Sequence, residues 1–182
     1  IGTRGAFYDT TGALRDMVPN HLMQLLSMIA MEPPNSFDAE VIRDEKAKLL
    51  RAVRRITPDE ARSDAVRGMY AAGQVNGQMI PAYRETPHVD PNTATETYVA
   101  LKLMVDTWRW TGVPFYLRTG KALAARDTEI VVTFNPVPYA TFRETPVAHL
   151  PANQLVFQIQ PHEGIDLGFL VKRPGPQVEA VP

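Results

Sequence analysis

The chain has 182 residues, which is enough for one domain with a core of its own. Its formal net charge of −1 excludes a general attraction to nucleic acid or to an anionic membrane surface, so we expect no nucleic acid and no membrane as partners. It contains no cysteine, which excludes disulfides, thiolate metal sites and a cysteine nucleophile and agrees with a cytoplasmic protein.

Three helices are predicted in the first part of the chain. Apolar residues recur at three- and four-residue steps from Leu14 to Ile29, with Asp16 as the expected N-cap and Pro19 in the first turn. A second helix is expected from about Asp38 to Arg55, because its acidic residues precede its basic ones, as the helix dipole favours. Thr57-Pro58-Asp59-Glu60 has the form of a capping box and predicts a short third helix.

Strands are predicted beyond residue 65, where runs of β-branched and aromatic residues alternate with Gly/Pro turns. The runs are Val66–Ala71, Thr95–Thr107, Thr128–Phe134, Gln154–Gln160 and Ile165–Lys172. The odd-numbered residues of the second run form one apolar face, although its middle also suits a helix by propensity. The fold class is therefore α+β: helices followed by a largely antiparallel meander sheet, with the helices packed on one face.

The common motifs of nucleotide, metal and serine chemistry are missing from the sequence. No Gly-x-Gly-x-x-Gly or phosphate loop occurs, and the four histidines, at positions 21, 88, 149 and 162, are too scattered for an i,i+4 zinc pair. None of the three serines lies in a nucleophile elbow. We therefore assign no metal ligand and no cofactor-binding residue.

The start of the first predicted helix carries the best candidate chemistry. His21 lies beside the apolar stripe and, taken alone, is explained more simply as a core histidine. Asp16 is likewise explained more simply as a helix cap. Five residues turn about 140° around an α-helix, so Asp16 does not stack against His21 and is not expected to orient it directly.

Two further segments are weaker candidates. The segment 108–126 is expected to be turn-rich and to lie between strands, and its four basic residues would suit an anion site, although a solvated loop explains it better without other information. Within it, Gly120 before Lys121 would let the backbone approach a ligand closely. The other segment is Gln160-Pro161-His162-Glu163-Gly164, a strand end that passes into a turn.

Together, seven segments of the chain resemble the glucose-6-phosphate dehydrogenase family. They are Arg4–Asp9, Gly12–Leu22, Met31–Pro34, Arg43–Lys46, Thr95–Thr97, Arg109–Lys121 and Gln160-Pro161. They occur in the order of the family and span nearly the whole chain. The second and sixth are long and specific, whereas the shorter ones would be weak individually.

The resemblance implies an NADP-dependent oxidation of glucose 6-phosphate at C1 to the lactone, the entry step of the pentose phosphate pathway. It implies that His21 is the general base, a role that suits imidazole because its pKa lies near the working pH. It also implies that Asp16, Lys121, Arg126 and Gln160 bind the substrate. A homodimer or homotetramer formed through the antiparallel sheet is expected as well.

The resemblance covers only part of the family's length. Residues 1–182 are expected to be a partial C-terminal domain, without the N-terminal Rossmann domain that binds most of the NADP. The family motif Asp-His-Tyr-Leu-Gly-Lys, with the aspartate that orients the catalytic histidine, is also missing. We therefore expect the isolated chain to be inactive. The alternative is a non-catalytic assembly or dimerisation module; a sugar-phosphate isomerase would need a second acid or base that the sequence does not identify.

Overall fold

The computed structural model describes residues 1, 4–136, 150–176 and 180–181. The chain divides into two compact units, Ile1–Ala124 and Ala125–Pro182. The first unit holds all the described α-helices and the larger core, and the second consists of short antiparallel strands. In the part of the chain that the structure describes, no helix is long and apolar enough to cross a bilayer.

The first helical run is longer than the sequence predicts. It consists of α1 (Gly5–Met17), a π-helical segment (Val18–Leu22) and α2 (Met23–Ala30). Asp16 therefore lies in the last turn of α1, so the prediction that it is an N-cap is wrong, whereas Pro19 does lie in the first turn of its own segment, the π-helical one.

Pro19 explains why a π turn lies in the middle of this run. A proline has no N–H to donate and its ring clashes with the carbonyl four residues back in an α-helix. In the π-helical segment the Met23 N–H instead bonds to the Val18 carbonyl, five residues back. The wider turn accommodates the proline without ending the helical run.

The other two helices confirm their predictions. The helix predicted from about Asp38 to Arg55 is α3 (Ala39–Ala52), and Asp38 is its N-cap. The short α4 (Ala61–Asp64) is preceded by the expected capping box. In it the Thr57 N–H donates to Glu60 Oε2 at 2.9 Å, and the Glu60 N–H donates to Thr57 Oγ1 at 3.3 Å.

The first unit contains five strands. They are β1 (Ala65–Gly68), β2 (Gly73–Val75), β3 (Gln78–Ile80), β4 (Tyr98–Met104) and β5 (Pro114–Gly120). The long predicted strand is confirmed over β4, so the helical alternative for its middle is wrong. Segment 108–126 was predicted to be turn-rich and to lie between strands, but its middle is itself a strand: β5 pairs with β4 along its full length in an antiparallel sheet of order β1-β4-β5. The β2-β3 hairpin was not predicted.

The core lies between β4 and the helices. The alternating face of β4 is buried, with Val99 in a cluster that includes Tyr8 of α1, and Leu103 in a cluster that includes Leu26 of α2 and Leu49 of α3. Burial of such side chains contributes about 1.5–3 kcal/mol each. The helices therefore pack on one face of the sheet, as predicted.

The second unit contains the remaining strands. They are β6 (Thr128–Thr133), β7 (Gln154–Gln160), β8 (Gly164–Gly168), β9 (Val171–Lys172) and β10 (Ala180–Val181). The first three form an antiparallel meander of order β6-β7-β8, and the last two form a separate pair. The run predicted as one strand over Ile165–Lys172 is thus divided into β8 and β9. The α+β class with antiparallel sheets is confirmed.

Candidate active site

The helix that carries the candidate site is broken once, at Gly12. This residue has φ 72° and ψ 172°, which are not helical angles. Beyond it the Ala13 N–H bonds to the Glu96 carbonyl at 2.9 Å, and the Leu14 N–H bonds to Glu96 Oε1 at 3.0 Å. The stretch that carries Asp16 therefore begins as a new helix start, capped from the segment just before β4.

Asp16, in the last turn of α1, forms an ion pair with Lys121, which directly follows β5. Lys121 Nζ lies 3.8 Å from Asp16 Oδ2 and 3.7 Å from Met17 Sδ, and it lies 5.3 Å from the centre of the Tyr8 ring. The side chains of Asp16 and Lys121 are 30% and 33% exposed. The structure thus brings together two of the residues to which the sequence assigns substrate binding, and both remain open to a ligand.

Backbone contacts at the end of β5 hold Lys121 in place. The Lys121 N–H donates to the Thr97 carbonyl at 2.8 Å. A Cβ at Gly120 would lie 2.8 Å from the Tyr98 ring, so glycine is needed here for close approach to that side chain. Ala122, which follows, has φ 56°, a left-handed conformation that is uncommon for alanine.

Tyr8 was not singled out from the sequence, yet it lies under the ammonium group of Lys121. It is 4% exposed, and its hydroxyl has no hydrogen-bond partner among the described residues. Burial raises the pKa of Tyr8, and the nearby Asp16 and Glu96 carboxylates raise it further. The hydroxyl therefore stays protonated, and the ring offers Lys121 a cation–π contact.

Asp9 ties α1 to the segment that precedes β4. Its carboxylate accepts hydrogen bonds from Thr93 Oγ1 at 2.6 Å, Tyr83 Oη at 3.1 Å and the Asp90 N–H at 3.3 Å. Burial alone would raise the pKa of Asp9, but these hydrogen bonds outweigh it and hold the pKa below its usual value. Asp9 is therefore a structural carboxylate next to the site.

His21 lies in the π-helical segment and is exposed, so it is not a core histidine. No hydrogen bond or ion pair joins it to Asp16 or to any other described residue. A π turn closes on the fifth residue rather than the fourth, so the angle of about 140° that a regular α-helix gives between Asp16 and His21 does not apply here. The imidazole has no partner among the described residues.

Arg109, one of the four basic residues of segment 108–126, is already paired. Its Nε and Nη2 donate to Glu32 at 3.0 and 2.6 Å, and the neighbouring Trp110 Nε1 donates to the Ala30 carbonyl at 2.8 Å. The bond from Trp110 satisfies the carbonyl of the last residue of α2. Arg118 is exposed on β5. Within the first unit, Lys121 is the basic residue of this segment that faces Asp16.

The remaining predicted contacts lie in the second unit. Arg126 is exposed just before β6, and Gln160 is the exposed last residue of β7, opposite Thr128 in the sheet register. A cis peptide bond joins Gln160 to Pro161. Among the described residues no group of three acidic or histidine side chains is placed to hold a metal ion, and His149 lies outside that part of the chain.

Fold and site define a class of protein: an α+β chain in which a helical run with an internal π turn presents an exposed histidine and also carries a carboxylate paired with a lysine at a sheet edge. The model of the glucose-6-phosphate dehydrogenase C-terminal domain family matches residues 1–182. The chain belongs to this family.

Curated relatives and solved structures agree with the family match. The chain is 47% identical over 180 residues to the glucose-6-phosphate 1-dehydrogenase of Aggregatibacter actinomycetemcomitans, covering 99% of this chain and 36% of the relative. It is 46% identical to that of Bacillus subtilis, covering 100% and 37%. A glucose-6-phosphate dehydrogenase solved in complex with its substrate glucose 6-phosphate matches with a TM-score of 0.85 and 36% identity, covering 99% and 35%. The chain thus spans about a third of the length of these proteins.

Proposed function

We propose that this chain is the base-carrying and substrate-binding part of a cytoplasmic enzyme that oxidises glucose 6-phosphate at C1 to 6-phosphogluconolactone, with NADP as hydride acceptor. The observation that carries the proposal is the Asp16–Lys121 pair, because Asp16 lies in the same helical run that exposes His21. Family membership and the named activity of the relatives support it.

The Asp16–Lys121 pair suits a phosphorylated sugar. A carboxylate accepts hydrogen bonds from sugar hydroxyls, and an ammonium group donates to hydroxyl or phosphate oxygens. The pair is about one-third exposed, and such ion pairs contribute only about 0–1 kcal/mol to stability. Ligand binding therefore explains the arrangement better than stabilisation of the fold does. Arg126 and Gln160 are proposed as further substrate contacts from the second unit.

His21 is proposed to act as the general base. Its neutral imidazole takes the proton of the C1 hydroxyl while the C1–H bond breaks and the C1=O bond of the lactone forms. The electron pair of the C1–H bond leaves as hydride. Because no described protein group bonds to His21, the carboxylate that orients it is proposed to come from outside this chain, and Asp16 acts on the sugar instead.

The dinucleotide site is not part of the described chain. A Rossmann site needs parallel strands joined by helices and a glycine-rich turn, whereas every strand pair that the structure describes is antiparallel. These residues therefore do not fit NADP on their own. We propose that NADP is bound mainly by the N-terminal domain that the family pattern implies, and that the isolated 182-residue chain does not turn over.

A chimera tests the proposal. This chain replaces the matched segment of the Aggregatibacter relative, to which it is 47% identical. The chimera is expected to form NADPH with glucose 6-phosphate and much more slowly with unphosphorylated glucose, while the isolated chain forms none. A folded chimera without activity towards glucose 6-phosphate would contradict the proposal and favour a non-catalytic assembly module.

A homodimer or homotetramer is proposed to form through the sheet of the second unit. The register places six apolar side chains on one face of β6-β7-β8: Ile130, Val132, Leu155, Phe157, Ile165 and Leu167. Ile165 and Leu167 are 69% and 57% exposed. Exposed apolar side chains that share one sheet face are typical of contacts with another protein surface, and a second copy of the chain is the proposed partner.

A further inference from the structure

Glu96 is joined to the helix at the two positions that follow Gly12. Its carbonyl accepts the Ala13 N–H at 2.9 Å, and its Oε1 accepts the Leu14 N–H at 3.0 Å. The first N–H groups of a helix have no partner in their own helix, and here one residue satisfies two of them. The Glu96 side chain is only 11% exposed, so water competes little for these bonds.

Gly12 allows this contact. A Cβ at position 12 would lie 2.6 Å from Glu96 Oε1 and 2.9 Å from its carboxyl carbon, and the backbone there has φ +72°. Any other residue would therefore push the carboxylate away from the helix start and would also be strained. Arg67, whose Nε lies 4.0 Å from Glu96 Oε2, is 59% exposed and adds a weaker contact from β1.

The same short segment also holds the partner of Asp16. Thr97, next to Glu96, accepts the Lys121 N–H through its carbonyl at 2.8 Å. Two neighbouring peptide units therefore hold both sides of the ion pair: Glu96 fixes where the helix that carries Asp16 begins, and Thr97 fixes the end of β5. Asp16 lies less than one turn beyond the capped N–H groups, so a shift of the helix start moves its carboxylate directly.

We infer that Glu96 is a positioning residue for substrate binding: its carboxylate caps the stretch Ala13–Met17 and thereby sets Asp16 against Lys121. The inference rests on the proposed function for the identity of the substrate. Glu96 acts through Asp16 and takes no part in the proton transfer. An anionic cap is suited to this task because the N-terminal end of a helix carries partial positive charge.

Amide hydrogen exchange of the 182-residue chain, measured by NMR, tests the cap. In Glu96→Ala the Leu14 amide is expected to exchange at least about tenfold faster, whereas the Ala13 amide, which bonds to the backbone of residue 96, changes less. Glu96→Gln keeps an oxygen acceptor and should retain most of the protection. Exchange at Val99 in β4 reports whether each variant is folded. Unchanged exchange at Leu14 in folded Glu96→Ala would overturn the inference.

Steady-state kinetics of the chimera test whether the cap affects substrate binding. Glu96→Ala is expected to raise the KM for glucose 6-phosphate about tenfold, with kcat changed less than about threefold, and Glu96→Gln to restore KM. Arg67→Ala, which removes the ion pair but leaves the Leu14 bond, should leave KM close to that of the parent chimera. An unchanged KM in Glu96→Ala with a loosened Leu14 would show a purely structural cap and overturn the positioning role. Lack of activity in the parent chimera would instead count against the proposed function. The hydrogen-exchange measurement on the 182-residue chain would still test the cap.

Discussion

Lys121 Nζ lies 3.8 Å from Asp16 Oδ2, which joins the end of β5 to the last turn of α1. The ammonium group has further contacts, with Met17 Sδ and the face of the Tyr8 ring. A pair so open to solvent contributes little to folding, and its groups suit the hydroxyls and phosphate of a sugar phosphate. The site is thus built from two parts of the chain that are distant in sequence.

Replacing Lys121 tests the anion-binding half of this pair. Lys121→Ala in the chimera should raise the KM for glucose 6-phosphate about tenfold to a hundredfold, the range expected for loss of a hydrogen bond to a charged group. Arg118→Ala, at an exposed position of the same strand, is the matched control and should have little effect. Steady-state kinetics at varied substrate measures both, and equal effects of the two substitutions would argue against a specific role for Lys121.

Gly12→Ala should destabilise the first unit. The new Cβ would lie 2.6 Å from Glu96 Oε1 at a residue with positive φ, for an expected loss of about 1–3 kcal/mol. Gly77→Ala is the control, because Gly77 has φ +79° but nothing within 4 Å of an added methyl group. Urea unfolding should show a clearly larger loss for Gly12→Ala. Equal losses of unfolding free energy in the two variants would mean that the contact between the added methyl group and Glu96 does not destabilise the protein.

The lowered pKa of the Asp9 carboxylate predicts that the stability of the fold depends on pH. Its hydrogen bonds from Thr93, Asp90 and Tyr83 hold its folded pKa below the ordinary value, so its contribution is present above that ordinary value and is lost as the pH falls through the folded pKa. The stability gap between the wild type and Asp9→Asn should therefore be largest near neutral pH and shrink below about pH 4. Urea unfolding over this range measures the gap, with the exposed Asp127→Asn as control. A gap that grows on acidification would contradict the assignment.

The apolar face of β6-β7-β8 predicts an effect on assembly. Leu167→Glu places a charge on that face and should lower the mass of the chimera measured by light scattering to that of a smaller assembly. Val131→Glu is the control, because Val131 is 44% exposed but lies on the opposite face of the same sheet. If only Val131→Glu dissociated the assembly, the proposed face would be wrong.

Local sequence signals predicted the elements that depend on local interactions. The charge order of α3, the capping box before α4 and the alternating face of β4 each involve residues close in sequence, and each was confirmed. The β2-β3 hairpin also had a local signal, Asn76-Gly77, whose positive φ angles of 49° and 79° suit a tight hairpin turn. That signal was overlooked.

The errors arose where distant residues decide the structure. The predicted helix start at Asp16 was wrong because the helix begins at Gly5, and the N–H groups of Ala13 and Leu14 after the Gly12 break bond to Glu96, in the distant segment before β4. β5 was missed because Pro114 and Gly120 at its ends resemble turn residues, and its pairing with β4 decides its conformation. The contact of Tyr8 with Lys121 has no local pattern either. His21, by contrast, was selected through its motif, and its role stays a prediction.

The most direct test of the account is the kcat of His21→Asn in the chimera, measured as NADPH formation at saturating glucose 6-phosphate. Asparagine is close to histidine in size but cannot act as a base near neutral pH, so kcat should fall by about a hundredfold or more while KM changes little. His88→Asn is the control, since His88 is exposed and has φ 66°, a conformation that asparagine tolerates. A kcat for His21→Asn within a few-fold of the parent chimera would show that His21 is not the base.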